Sequence, residues 1–296
     1  MSIRLAQIIR IAAGSACLAG LGTFLYATQV ECRRYQLETL SLTVGGGAMA
    51  RVFRILHLSD LHFSHPESHK IDFLQKVTAQ HYDLVVITGD IFENYTGLCY
   101  AGSLLASPAR LGAYAVLGNH DYYNYSLFNK TMGRLDRRRR HPRQRRDVRP
   151  MVRALERAGI RVLFNEAVSD PGAGLHVVGI DYPTVDGELL GELVARAGPD
   201  QLKLVLFHLP LHLERISSSG AHLALGGHTH GGQIRLPGLG ALTTDSELPR
   251  QESAGLIWRH GTAFHISRGL GADPRSNIRL FCPPAATVLE VRLLTS

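Results

Sequence analysis

The stretch Gly226-Gly227-His228-Thr229-His230-Gly231-Gly232-Gln233 decides how the chain is read. It sets two imidazoles two residues apart, and in an extended segment residues i and i+2 point the same way. The glycines around them let backbone come close to whatever those imidazoles hold. Two histidines on one side of a bend fit a bound metal. A Gly-rich turn carrying two solvated histidines fits the same letters, so the other strand-like stretches must separate the two readings.

Residues 51–58 (RVFRILHL) favour a strand and run straight into Ser59-Asp60-Leu61-His62. A strand there delivers an Asp and a His to the loop at its carboxyl end, where α/β proteins place ligands. His57 belongs to the strand and reads as structural. A helix is expected over about 67–81. Residues 83–90 (DLVVITGD) form an apolar run of the buried-strand kind, ending on Asp90 with Gly89 at the turn; alone, Asp90 could equally cap the next element. Residues 113–117 lead into Gly118-Asn119-His120-Asp121, residues 202–207 into His208-Leu209-Pro210, and residues 223–225 into the opening motif. Five apolar strands that all end on ligand-type residues have a common explanation in a metal site. The four cysteines lie far apart with no C-x-x-C pair, so the ligands must be His, Asp and Asn.

In this order (D-x-H, G-D, G-N-H-D, H, G-H-x-H) the chain resembles the calcineurin-like metallophosphoesterase family from about residue 52 onward. The resemblance implies an α/β fold, a four-layer sandwich of two mixed β-sheets flanked by helices. It implies that Asp60, His62 and His230 hold one divalent metal, that Asn119, His208 and His228 hold a second, and that Asp90 bridges them. Mn, Fe or Zn suits those donors. The implied nucleophile is a hydroxide bound between the two ions. His120 would protonate the leaving oxygen, with Asp121 fixing its tautomer and raising its pKa. Arg268 and Arg279 are further candidates near the site, because Ser267-Arg268-Gly269-Leu270-Gly271 and the following Arg279 to Pro284 are similar to the ending of a membrane-anchored sub-group. Ala285 and Leu211 depart from that sub-group's pattern, and neither is an implied ligand.

Residues 11–30 are uncharged, between Arg4 and Arg10 on one side and Arg33 and Arg34 on the other. Twenty residues at 1.5 Å each give roughly 30 Å, one bilayer crossing. A cleaved signal peptide would have a shorter apolar core and a small-residue cleavage site, so residues 1–30 are expected to anchor the chain in the cell (inner) membrane. Lys and Arg are balanced across the span, so its orientation is not fixed by charge. Residues 31–50, ending in Gly45-Gly46-Gly47, read as a linker to a catalytic domain over 51–296.

The formal charge of +7 is local: residues 134–149 hold nine Arg and two Asp, which accounts for all of it. That run closes an expected insertion at about 122–149, beginning with Tyr122, Tyr123, Tyr125 and Phe128, placed to overhang the metals as a cap. A solvated loop, a contact with anionic lipid or lipid-linked phosphate, and nucleic-acid binding all fit it; the anchor argues against nucleic acid. The expected partner is a phosphorylated, lipid-linked substrate. Similar anchored family members cleave the pyrophosphate of UDP-2,3-diacylglucosamine in lipid A synthesis, which here would need the cytoplasmic face. A broad phosphodiesterase or nuclease, and a non-catalytic metal-binding scaffold, are the alternatives.

Overall fold

The structure is a computed structural model that describes residues 3–47, 49–64, 67–125, 145–272 and 277–295. Most of the Arg-rich insertion expected at 122–149 lies outside these residues. In chain order the helices are α1 (Ile3–Leu25), α2 (Ser68–Thr78), α3 (Asn119–Tyr122), α4 (Arg149–Arg157), α5 (Gly187–Ala195) and α6 (Leu213–Ser218). The strands are β1 (Gln36–Gly45), β2 (Met49–Leu58), β3 (Leu84–Thr88), β4 (Ala113–Val116), β5 (Ile160–Val162), β6 (Glu166–Asp170) and β7 (Leu175–Gly179). They continue with β8 (Leu202–Leu206), β9 (Leu223–Gly226), β10 (Arg235–Leu236), β11 (Gly240–Ala241), β12 (Gly255–Arg259), β13 (Thr262–Ile266) and β14 (Ala285–Thr295).

Twelve of these strands make two six-stranded mixed sheets, ordered β1-β14-β2-β3-β4-β5 and β12-β13-β9-β8-β7-β6, while β10 and β11 form a small hairpin. Strands β2 to β5 run parallel, as do β7, β8, β9 and β13, so the loops at their carboxyl ends collect at one edge of each sheet.

Alternation along the strands explains how the sheets stack. On β2, Phe53 and Ile55 join Leu204, Leu206, Leu223 and Ala263 of the other sheet in one buried cluster. The intervening Leu56 and Leu58 face the opposite way, toward Leu74 and Val77 of α2 and Met151 and Leu155 of α4. On the second sheet Val205, Ala224 and Phe264 turn outward onto Leu190 and Leu193 of α5 and Ile216 of α6. A period of two with apolar residues on both faces is what a strand buried on both sides requires. Each sheet therefore has one face on the other sheet and one under helices.

One expectation needs correcting. Residues 31–50 are not a linker: Glu31–Arg33 finish a helical extension of α1 and Gln36–Gly45 form β1, paired in parallel with β14 over its whole length. Leu42 and Val44 of β1 are buried in the cluster between the sheets. Leu40, Leu42 and Val44 alternate as a strand should, but the three glycines that follow place the domain boundary too late in the chain.

At the N-terminus, the segment Arg10–Arg33 is long and apolar enough to cross a membrane by length and composition. Ile11, Leu18, Leu21 and Phe24 are more than half exposed, whereas Ala27, Thr28, Glu31 and Cys32 are buried against the domain. The helix therefore leaves the protein surface just before residue 27.

Leu289 on β14 is fully buried between the sheets. Leu289→Ala is expected to lower the unfolding free energy by about 2–5 kcal/mol, read from the urea midpoint at unchanged slope; a loss below about 1 kcal/mol would mean the sheets repack around the vacancy.

Candidate metal centre

Loops from both sheets meet over the inter-sheet core. Asp60 and His62 follow β2, Asp90 follows β3 and Asn119 follows β4; from the second sheet come His208 after β8, and His228 and His230 after β9. All are buried except His228, which is half-buried.

The side chains form two groups that share Asp90. In the first, His62 Nε2 lies 3.2 Å from His230 Nε2 and 3.7 Å from Asp90 Oδ2, and His230 Nε2 lies 3.7 Å from Asp60 Oδ1. In the second, His208 Nε2 lies 3.1 Å from Asn119 Oδ1, 3.3 Å from His228 Nδ1 and 3.3 Å from Asp90 Oδ1; His228 Nδ1 is 2.9 Å from Asn119 Oδ1.

What these atoms have in common is settled by their other ends. His208 donates Nδ1–H to the carbonyl of Thr88 (2.8 Å), His230 donates Nδ1–H to that of Gly271 (3.2 Å), and His62 donates Nδ1–H to Glu93 Oε2 (3.0 Å). A neutral imidazole carries one N–H, so Nε2 of all three is a bare lone pair aimed inward. Bare nitrogens, carboxylate oxygens and an amide oxygen are thus crowded within 4 Å, an arrangement that repels itself unless a cation sits among them. Asp60, His62 and His230 form one set able to hold a metal ion, and Asp90, His208 and His228 another.

Protons must substitute for cations when none is bound. Burial opposes a charge on His208, but Asp90 and Asp60 outweigh it and hold its pKa at about 9. His62 is raised too: burial works against it, and Glu93 and Asp90 prevail. Burial and the neighbouring His208 push His228 down to about 3, and burial with His62 keeps His230 low.

The two-apart spacing does not act through an extended strand. Asp60, His62, Asp90, His228 and His230 all have positive φ, between 48° and 72°. A left-handed backbone at five non-glycine positions costs free energy and persists only where the surroundings enforce it. The enforcement is visible: Gly227 and Gly118 let loops close in, and a Cβ at Gly227 would collide with Ser59 Oγ and Asp60 Oδ2, one at Gly118 with Asp90 Oδ1.

Below the metal groups a buried polar column enters the inter-sheet core. His265 Nδ1 meets His57 Nδ1 at 2.8 Å, His57 Nε2 meets Thr88 Oγ1 at 2.8 Å, Thr88 donates to Ser59 Oγ (2.8 Å), and Ser59 donates to Asp60 Oδ2 (2.6 Å). With the two hydroxyls oriented so, His57 must donate from Nε2 and accept from His265. Every donor points toward the Asp60 carboxylate. Burial lowers the pKa of both imidazoles, His265 to about 4, which keeps the column neutral.

Two expected roles move. The carboxylate of Asp121 accepts the backbone amides of Gly118 (2.8 Å), Ile91 (3.1 Å) and Phe92 (2.9 Å), tying the loop after β3 to that after β4. The partner of His120 is instead Glu93, whose Oε2 accepts His120 Nδ1–H at 2.8 Å and His62 Nδ1–H as well. Burial opposes ionisation of Glu93, but those two bonds outweigh it and hold the carboxyl well below its usual range. Sequence reading missed Glu93; its signal was a carboxylate three residues past Asp90, on the loop that carries the ligand. Arg268 turns away to pair with Glu38 of β1. Arg279 is fully buried, its guanidinium donating to the carbonyls of Arg268 (2.8 Å), Gly269 (3.2 Å), Gly271 and Cys282 (3.1 Å). It organises the loop whose Gly271 carbonyl orients His230. Of the aromatics expected to open the cap, the Tyr125 ring lies tilted against that of His120 with centroids 4.7 Å apart and Tyr122 donates to Asp181 (2.6 Å); Phe128 lies outside the described residues.

The chain is similar in sequence to known proteins. The family model for calcineurin-like phosphoesterases matches residues 53–232. An uncharacterised metallophosphoesterase of Bacillus subtilis is 29% identical over 277 residues, 90% of this chain and 94% of its own. A phosphodiesterase, YaeI, of Escherichia coli is 30% identical over 82% of this chain and 83% of its own. The UDP-2,3-diacylglucosamine pyrophosphatase LpxG of Chlamydia muridarum is 24% identical over 90% of this chain and 92% of its own.

Two outcomes are expected. Because His208 holds a proton up to about pH 9 in the metal-free protein, a cation must displace it; apparent affinity should rise roughly tenfold per pH unit from 7 and level off above 9. Calorimetric titration with Zn or Mn across that range tests the slope. Glu93→Gln should keep its metal, measured by elemental analysis, while kcat falls about 10- to 100-fold, the usual effect of removing a group that orients a ligand.

Proposed function

This chain belongs to the calcineurin-like phosphoesterase family and is a hydrolase acting on phosphoester bonds, and on that footing we propose that it is a membrane-anchored phosphohydrolase working with two divalent ions, Mn, Fe or Zn. The observation that carries the reading is the pair of lone-pair clusters sharing Asp90. Asp60, His62 and His230 would hold one ion, Asn119, His208 and His228 the other, with Asp90 between. Ions there would polarise the phosphoryl oxygens and make a water acidic enough to attack near neutral pH.

The chain's own groups supply the rest. The water's oxygen bonds to phosphorus as the bond to the leaving oxygen breaks, and that oxygen must take a proton. His120 would give it: with Nδ1–H on Glu93 (2.8 Å), Nε2 is the nitrogen left to pass a proton on. Its backbone amide donates to Asp90 Oδ1 at 2.7 Å, so imidazole and bridging carboxylate keep a fixed spacing. Asp121 supports the geometry by holding the two loops together.

The apolar helix and the relative named as a UDP-2,3-diacylglucosamine pyrophosphatase support a lipid-linked pyrophosphate as substrate, with the domain on the cytoplasmic face of the membrane. The relative named as a phosphodiesterase supports the broader alternative of a simple diester. The full chain in detergent, stripped and reloaded with metal, decides between them. Release of UMP from UDP-2,3-diacylglucosamine far faster than hydrolysis of bis(p-nitrophenyl) phosphate is expected; activity on the generic ester alone discards the lipid.

The division of roles is tested separately. His120→Ala should retain metal and lose roughly 10²- to 10⁴-fold in kcat, whereas Asp90→Ala should lose metal. Equal metal loss in the two variants would overturn the assignment.

A further inference from the structure

A cavity of about 530 Å³ lies beside the metal centre and is not needed for the chemistry at phosphorus. Its walls include His62, a proposed metal ligand, and, from the segment that follows α1, Cys32, Arg33 and Tyr35; Glu67, His69 and Lys70 at the start of α2, and Asn277, also line it. The volume falls within the range of about 300–1,000 Å³ that pockets for whole organic ligands occupy, far more than a phosphate requires. One wall of this cavity is thus built by the residues that end and follow the apolar helix.

That wall has a fixed height. The Arg279 amide donates to the carbonyl of Ala27 (3.0 Å), the Cys282 amide to Glu31 Oε1 (2.6 Å), and the Cys32 thiol to the carbonyl of Asn277 (3.1 Å). These bonds clasp the helix end to the segment that also orders the loop beside His230. Arg33 is three residues beyond Val30, the last exposed apolar side chain of the helix, so at about 2 Å per residue of the 3-10 turn it stands roughly 6 Å above that edge. The polar layer on each side of a bilayer's hydrocarbon is about 5–8 Å deep. The cavity mouth therefore opens at the level of the headgroups. Phe281, between the two clasping residues, is 58% exposed with a positive φ of 53°, an apolar ring presented at the same level.

We infer that this cavity receives the backbone of an amphiphilic phosphoester whose acyl chains stay in the bilayer, so that the phosphorus reaches the metals without the lipid leaving the membrane. The inference rests on the phosphohydrolase reading and on α1 as a membrane helix. The mixed lining, Arg33, His69, Asn277 and the paired Glu67 and Lys70 with Tyr35 and Cys32, suits a polyol or glycerol unit between phosphorus and chains rather than the chains themselves.

The test uses the full metal-loaded chain in lipid nanodiscs and two chromogenic diesters with the same scissile bond, the p-nitrophenyl phosphodiesters of dioctanoylglycerol and of methanol. Wild type should show kcat/KM at least tenfold higher for the dioctanoylglycerol ester. His69→Trp, which fills the cavity from an exposed position, should lower that ratio at least tenfold, mainly through KM, and Arg33→Glu should lower it in the same direction without adding bulk. An independent readout is alkylation of His69→Cys by a maleimide, mapped by mass spectrometry, which dioctanoylglycerol phosphate should slow and methyl phosphate should not. Equal ratios in wild type and both variants, or equal alkylation, would overturn the proposal while hydrolysis of the methyl ester leaves the phosphohydrolase reading standing. Hydrolysis of neither diester by wild type would overturn that reading itself.

Discussion

The structure turns on a repulsion. Three imidazole nitrogens, whose ring protons are directed elsewhere when the rings are neutral, two carboxylates and an amide oxygen each lie within 4 Å of a neighbour in the set. No isolated loop would keep such a set together. Here each acceptor is fixed by what stands behind it: carbonyls behind His208 and His230, Glu93 behind His62, and a one-way chain of donors from His265 behind Asp60. The fold supplies a frame that holds these electron pairs in positions a cation could satisfy.

The frame accounts for much that looks costly elsewhere. Left-handed backbone at five site residues, a histidine pair sealed between two sheets, and an arginine buried with no carboxylate partner among the described residues are each unfavourable singly. Together they set the directions of atoms around Asp90. Arg279 illustrates this: a planar fork of donors suits several carbonyls at once, and gathering those of residues 268–271 fixes the acceptor for His230 Nδ1. The same residue's backbone amide binds Ala27, so the metal loop and the end of the apolar helix share one support.

The ligand letters were legible because strand ends in α/β proteins collect at one edge, and period-two apolar runs mark where strands end. The seven residues that the resemblance singled out among those strand ends come together in the structure around Asp90. What stayed hidden was direction. An Asp-x-His spacing says nothing about a left-handed backbone, and nothing in Asn-His-Asp reveals that Asp121 turns back to three amides while Glu93, from another loop, reaches His120. Strand β1 was missed for a different reason. Its pairing partner lies at the far end of the chain, and a solitary alternating stretch beside three glycines has no local sign of belonging to a sheet. Arg268 and Arg279 look alike in sequence, yet one is half-buried on β1 and the other sealed beneath the metal loop.

The pairing of β1 with β14 has a consequence for how the protein is made. β1 ends at residue 45 and bonds only to a strand that begins at residue 285, so the first strand to leave the ribosome is the last to find its place. At about 5–20 residues per second, the roughly 240 residues between them take some 12–50 seconds to synthesise. During that interval β1 has no strand to pair with. The exposed residues alternating along its length, and its brevity of apolar surface, keep it from seeking a wrong neighbour while it waits.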